Sequence, residues 1–158
     1  MYSVASALKS AFGTCVRDIC KSNGCELHFD GFPSDKVILH VDCLAREWPE
    51  HMKGKRCDFI VVVQEGKSVF LLPVEFKTLY VVLDKIKSQL ESGIIFLRNN
   101  SNAQFECYPV LVTRRLQREA GKKLQKIKIE HNGKAIRVRH VRCNKPLSWR
   151  DVKRQRYA

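Results

Sequence analysis

Two hydrophobic periods alternate along the chain. Over residues 3–20, Val4, Leu8, Phe12 (or Ala11), Cys15, Val16 and Ile19 recur at helical spacing, and Ser22-Asn23-Gly24 follows as a stop. This spacing predicts an amphipathic helix. Residues 28–35, HFDGFPSD, read as a turn, and KVILHVDCL (36–44) reads as a β-branched strand ahead of a loop at 46–55. Two nearly continuous apolar runs, CDFIVVV (57–63) and SVFLLPVEF (68–76), flank Gln64-Glu65-Gly66-Lys67. They predict a hairpin of central strands with both faces covered. Pro73 interrupts the second run and predicts a bulge or bend just before Glu75. Leu79, Val82, Leu83, Ile86 and Leu90 make a helical stripe over 78–92, with Gly93 as its C-terminal stop. FECYPVLVT (105–113) is a further apolar strand, and residues 114–125 read as a short helix or an irregular segment. Asn132-Gly133 is a strong turn signal within KIKIEHNGKAIRVRHV (126–141).

The resulting order is α-β-β-β-α-β followed by a basic β-hairpin, an α/β (α+β) chain with a mixed sheet. A length of 158 residues with 44% apolar residues fits one domain, 1–158. Its core spans about 3–113, the basic hairpin region about 114–145, and a short basic tail 146–158. No apolar run approaches the roughly 18 residues of a membrane span, and Lys9 interrupts any signal-peptide pattern. The expectation is a soluble, cytoplasmic protein in a reducing environment. The seven cysteines are odd in number and include no CxxC pair, so buried reduced thiols are expected. The even spacing of Cys15, Cys20 and Cys25 leaves a metal site as the alternative.

Charge changes this picture through its location. Residues 1–78 carry 10 Lys/Arg against 10 Asp/Glu, and residues 79–113 carry 3 against 3. Residues 114–158 carry 16 against 3, which accounts for the whole net charge of +13. These cations are interleaved with apolar residues, which points to folded structure and a polyanionic partner.

Candidate chemistry lies in LLPVEFKTLY (71–80), where Glu75 and Lys77 are two residues apart and share a strand face. A two-residue turn at Glu65-Gly66 would set Asp58 opposite Pro73 and make Glu75 its diagonal neighbour, about 7–8 Å away by Cα. Two convergent carboxylates suit a hard divalent cation such as Mg²⁺. Such a cation makes water a better nucleophile, and a nearby Lys stabilises charge building on a phosphate. Acid, acid and base form a kit for phosphodiester hydrolysis. Asp58 as a turn cap and Glu75–Lys77 as an edge ion pair is the structural alternative.

The segments CDFIVVV, LPVEFK and SQL resemble the PD-(D/E)xK nuclease superfamily, with its restriction-endonuclease-like αβββαβ core. The resemblance covers residues 3–113 and implies catalytic roles for Asp58, Glu75, Lys77 and Gln89. It implies Mg²⁺ (or Mn²⁺) held by Asp58, Glu75 and the Phe76 backbone carbonyl. Asp18, Glu26 and Asp42 are alternatives for a further acidic ligand. It implies a metal-dependent deoxyribonuclease, an endonuclease, with defence against foreign DNA or DNA repair as the setting. RNA remains open as a substrate, and a homodimer or partner protein would supply target recognition. A non-catalytic nucleic-acid-binding subunit and a basic module that docks an acidic protein are the competing readings.

A two-residue Asn132-Gly133 loop would pair His131 with Lys134, Ile129 with Ile136 and Ile127 with Val138. On the other face Lys128 would meet Arg137, and Lys126 would meet Arg139. Cations placed opposite one another cost stability but suit phosphates. Arg114, Arg115, Lys126, Lys128, Arg137, Arg139 and Arg142 are the candidate nucleic-acid contacts, with Trp48 and Trp149 as candidate base-stacking residues.

Overall fold

In the computed structural model, residues 3–78 and 82–155 are described. The central hairpin forms from β5 (Phe59–Glu65) and β6 (Ser68–Lys77), antiparallel and in continuous register from Glu65↔Ser68 to Phe59↔Val74. The loop is Gly66-Lys67, with Gly66 at φ 60°, rather than Glu65-Gly66. A two-residue loop in either place keeps the same face parity. The shift by one position moves Asp58 from opposite Pro73 to directly beside Glu75.

Around this hairpin stands a seven-stranded mixed sheet. Its order is β1 (Val16–Arg17), β4 (Lys36–His40), β5, β6, β8 (Val110–Thr113) and β11 (Arg139–Arg142), with β7 (Glu106–Cys107) also on β6. Strands β1, β4, β5 and β6 pair antiparallel, whereas β7 and β8 run parallel to β6 and β11 runs parallel to β8. Pro73 is accommodated without a bulge. Leu71 accepts from Tyr108 N–H on the β7–β8 side at 2.8 Å, so alternation turns the Pro73 nitrogen to that side as well. The missing donor falls where the neighbouring ladder breaks, between Cys107 and Val110.

Both faces of the sheet are covered, but differently. One face carries α1 (Val4–Ala11), α2 (Val41–Glu47), α3 (Ile86–Asn100) and the hairpin of β9 (Lys128–His131) and β10 (Lys134–Arg137). The other face carries a small sheet of β2 (Cys20–Ser22), β3 (Cys25–Asp30) and β12 (Pro146–Ser148), closed by α5 (Trp149–Lys153). The segment between β8 and β9 holds α4 (Arg118–Gln125).

Several elements differ from the periodicity. The first helix ends at Ala11, capped at its start by Ser3 Oγ, which accepts from Ser6 N–H at 3.0 Å. Val16 and Arg17 leave the helical stripe because they pair with Leu39 and Ile38, and Ile19 is exposed. The strand expected over 36–44 becomes α2 at Val41. The helix expected over 78–92 starts at Ile86 and runs through Gly93 to Asn100, so its stripe is Ile86, Leu90, Ile94 and Leu97. Gly93 is not a stop: a Cβ there would lie 2.8 Å from Pro73 Cβ, so glycine lets α3 lie against β6. Of the expected stripe, Leu79 lies outside the described residues.

The Asn132-Gly133 hairpin keeps its expected register from His131↔Lys134 to Lys128↔Arg137, with both turn residues at positive φ. The pairs Ile127–Val138 and Lys126–Arg139 do not form. Lys126 caps α4, and Arg139 joins the main sheet beside Val110.

The expectation of seven reduced thiols is corrected. Cys15 is bonded to Cys43 and Cys25 to Cys143, with Cα–Cα separations of 5.4 and 5.1 Å. Cys20, Cys57 and Cys107 are free and buried. The chain turn after Phe12 carries Cys15 to α2. Asn144 N–H donates to Glu26 O at 2.9 Å and brings Cys143 to β3. The evenly spaced Cys15, Cys20 and Cys25 therefore share no site. No helix among the described residues is long and apolar enough to cross a membrane.

Candidate active site

Asp58 enters β5 from the loop after α2. Its N–H donates to Val74 O at 2.9 Å, and its carboxylate Oδ2 accepts from Phe76 N–H at 2.7 Å. The same strand alternation turns the Phe76 carbonyl toward the Asp58 side. The Phe76 ring goes to the opposite face, 5.9 Å from the Phe59 ring, and anchors the strand. Glu75 points to the α3 face and is 3% exposed. Lys77, on the same face, places Nζ 3.0 Å from Glu75 Oε2. Asp58, Glu75 and Lys77 are therefore brought together.

Electrostatics set this group apart from an ordinary ion pair. Burial, the Asp58 charge and a hydrogen bond with Asp58 push the Glu75 carboxyl up to about 8. The Lys77 ammonium pulls the other way and does not prevail. Two neighbouring carboxylates under a helix cannot both carry charge cheaply, even with one ammonium beside them. Glu75 Oε1 is buried and has no hydrogen-bond partner among the described residues.

Gln89 is carried to the same place by α3. That helix runs antiparallel to β6, because it returns the chain to a parallel neighbour, β8. Gly93 meets Pro73. Four residues back along the helix is about 6 Å, and two residues on along β6 is about 6.6 Å. Gln89 thus lies over Glu75. Its amide Oε1 is also buried and has no partner among the described residues. Ser92 fixes this placement. Its hydroxyl accepts from Cys57 N–H at 3.1 Å and donates to Gln89 O at 2.6 Å. Burial pushes the Cys57 thiol up to about 12, so the thiol beside Asp58 is not a nucleophile at neutral pH. Two buried oxygens without partners among the described residues, next to a carboxyl pair, fit a bound divalent cation and its waters.

The three alternatives for a further acid do not join the group. Asp18 is exposed in the turn after β1. Glu26 lies in the small sheet, 3.6 Å from His28 Nε2. Asp42 opens α2 and pairs with Arg56 at 3.3 Å. Among the described residues, no cluster of three His, Cys, Asp or Glu side chains is poised to hold a metal.

The basic residues divide between surfaces. Arg142 shares the Glu75–Lys77 face, in a lateral row Lys77–Thr113–Arg142 that spans about 10 Å. Arg139 points to the other face, with its guanidinium 5.6 Å from the Tyr108 ring centre. Arg114 donates to Asn23 O at 2.6 Å, and Arg115 is exposed. Lys128 and Arg137 oppose one another on the hairpin, as expected. Trp149 is core: its Nε1–H donates to Glu65 Oε2 at 2.9 Å and its ring packs on Phe70. Trp48 packs edge-on against Phe12.

Sequence reasoning missed Ser92, Thr113 and His140. Thr113 Oγ1 and His140 Nε2 are hydrogen-bonded at 2.6 Å on the Lys77 face. Burial, then the Arg142 charge, hold His140 below its ordinary pKa. Thr113 carried one signal, a hydroxyl closing an apolar strand. His140 carried none, because its face follows from a pairing of β11 with β8.

Comparison of the chain with protein-family models, curated proteins and solved structures finds no match.

Proposed function

We propose that the protein is a metal-dependent nuclease of the restriction-endonuclease-like, PD-(D/E)xK kind, hydrolysing phosphodiester bonds in DNA, with RNA open as a substrate. One observation carries the reading: two adjacent carboxyls and a lysine converge under a helix amide, with two of their buried oxygens unpartnered. The element order supports it as well, since α1, the antiparallel β4–β5–β6, α3 and the parallel β8 fit an αβββαβ pattern, with β1–β3 inserted before β4 and α2 between β4 and β5. Asp58, Glu75 and the Phe76 carbonyl would hold Mg²⁺ or Mn²⁺, which when bound supplies a Lewis acid and lowers the pKa of water. Glu75 would be held ionised as a ligand there, its proton passing to solvent. Lys77, 3.0 Å from Glu75 Oε2, would place its ammonium beside the phosphate and offset negative charge developing on the oxygens. Gln89 directs its amide toward the same pocket and orients the reacting groups. Arg142 extends the cationic row to the neighbouring backbone.

The test uses purified protein with supercoiled DNA, linear DNA and RNA, in Mg²⁺, Mn²⁺ or chelator. Metal-dependent cleavage by the parent is expected, with loss in Glu75→Ala and Lys77→Ala while DNA binding persists. Cutting in excess chelator, or undiminished cutting by either variant, overturns the reading. A binding subunit that keeps the fold is favoured by one observation, the absence of a third acid from Asp18, Glu26 or Asp42. Salt-sensitive DNA binding with no cleavage in any metal would establish it instead.

A further inference from the structure

A cleft of about 490 Å³ lies between the loop after α2 and the outer stripe of α3. The loop is pinned to the helix at both ends. His51 Nδ1 is 3.4 Å from Asn100 Nδ2, and Cys57 N–H bonds to Ser92 Oγ. The pins are eight residues apart on α3, so the cleft is about 12 Å long. Ile95, 56% exposed, supplies its apolar surface, with Met52 buried beneath at 5%. Lys53 and Lys55 stand exposed at the rim, and Ser88 and Asn99 add polar groups from the helix. Glu50 is the acid in the lining, and it pairs with His51 at 3.7 Å.

One residue, Ser92, ties the cleft to the candidate active site. Ser92 lines it while holding the N–H of Cys57, the residue before Asp58. A strand lying in it would pass Ser92, whose hydroxyl holds the residue before Asp58. Its volume suits one small ligand unit. A duplex offers phosphates outward and keeps base faces stacked inside, so only an unpaired base can lay its face on Ile95. Cations at the rim and an apolar floor match a phosphate and a base, respectively.

We propose that this cleft is a subsite for an unpaired nucleotide adjoining the scissile phosphate, so that the preferred substrate is a strand with a single-stranded or frayed segment. This deepens the nuclease reading and rests on it for the position of the cut.

The experiment measures binding separately from cleavage. Fluorescence anisotropy in chelator compares a single strand, a blunt duplex and a duplex with an overhang, in DNA and RNA versions. The variants are Ile95→Asp and the double change Lys53→Ser with Lys55→Ser, each checked for an unchanged urea midpoint. The single strand and the overhang should bind more tightly than the blunt duplex. Ile95→Asp should weaken single-strand binding about tenfold, the loss of one base contact, and spare the blunt duplex. The double lysine change should flatten the salt slope for single strands by about 1.4, for two phosphates. As an independent check, Ile95→Cys supplies an exposed thiol, since Cys20, Cys57 and Cys107 are buried, and it should capture a single strand carrying an activated mixed disulfide by exchange, expelling the leaving thiol. Unchanged affinity and slope in both variants overturn the subsite even if the parent cleaves DNA. Equal affinity for a polyglutamate peptide also overturns it, in favour of an acidic protein partner. Base-dependent loss in Ile95→Asp sustains the subsite even if no metal supports cleavage, a result that would count against the nuclease reading alone.

Discussion

The state of Glu75 makes a sharp prediction about pH, because its carboxyl is held neutral by its surroundings. It titrates at about 8 in the fold against an ordinary 4.5, a gap of about 3.5 pH units at about 1.4 kcal/mol each. A folded-state pKa above the unfolded value means that the native protein holds the extra proton between the two. This group's contribution to stability is then fully present below about pH 4.5 and is lost as pH rises through 8. The loss between pH 5.5 and 9 is on the order of 3 kcal/mol and belongs to the Asp58–Glu75 pair, since the Asp58 charge helps to raise the Glu75 carboxyl. Glu75→Gln keeps the shape and removes the proton. Urea unfolding in chelator at several pH values should show a steep decline for the parent and a decline shallower by about 3 kcal/mol for the variant. Added Mg²⁺ should restore the parent most at high pH, where it competes with no proton. Parallel pH profiles for parent and variant would refute the reasoning, since the titrating group would then lie elsewhere.

Gly93→Ala should destabilise by about 1–3 kcal/mol despite the better helix propensity of alanine, because its Cβ meets Pro73 at 2.8 Å; a urea midpoint at or above the parent's would contradict this. Replacing Lys128 and Arg137 with Ser should flatten the salt slope of duplex binding by about 2 and stabilise the free protein by a few tenths of a kcal/mol. Adding Arg139→Ser should flatten that slope no further, as Arg139 faces the other side of the sheet; salt titrations of the double and triple variants decide. Alkylation of unfolded protein without reductant should modify Cys20, Cys57 and Cys107 alone, with Cys15, Cys25, Cys43 and Cys143 added after reduction. Full modification without reductant, read by mass, would remove both cross-links.

Local chemistry made much of this molecule readable from the sequence. The apolar runs at 57–63 and 68–76 admit little but buried strands, and a two-residue loop in either position preserves parity, so the shared face of Asp58, Glu75 and Lys77 survived a shifted turn. Asn132-Gly133 set its hairpin because both residues tolerate positive φ. Helix boundaries were not readable, since a glycine serves equally as a stop and as a place of close approach. Only packing against Pro73 distinguishes the two for Gly93.

What the tertiary structure alone decided concerns partners distant in the chain. The pairing of β11 with β8 placed Arg142 and His140 on the Lys77 face and turned Arg139 away. The disulfide partners lie 28 and 118 residues apart, beyond the reach of spacing arguments. Burial of Glu75 beneath α3 converts a commonplace Glu-x-Lys into a carboxyl that holds its proton near neutral pH. The sequence by itself determined which residues share a strand face, because side-chain alternation is a property of the backbone. How deeply that face is buried, and what lies across from it, depends on contacts that no local pattern encodes.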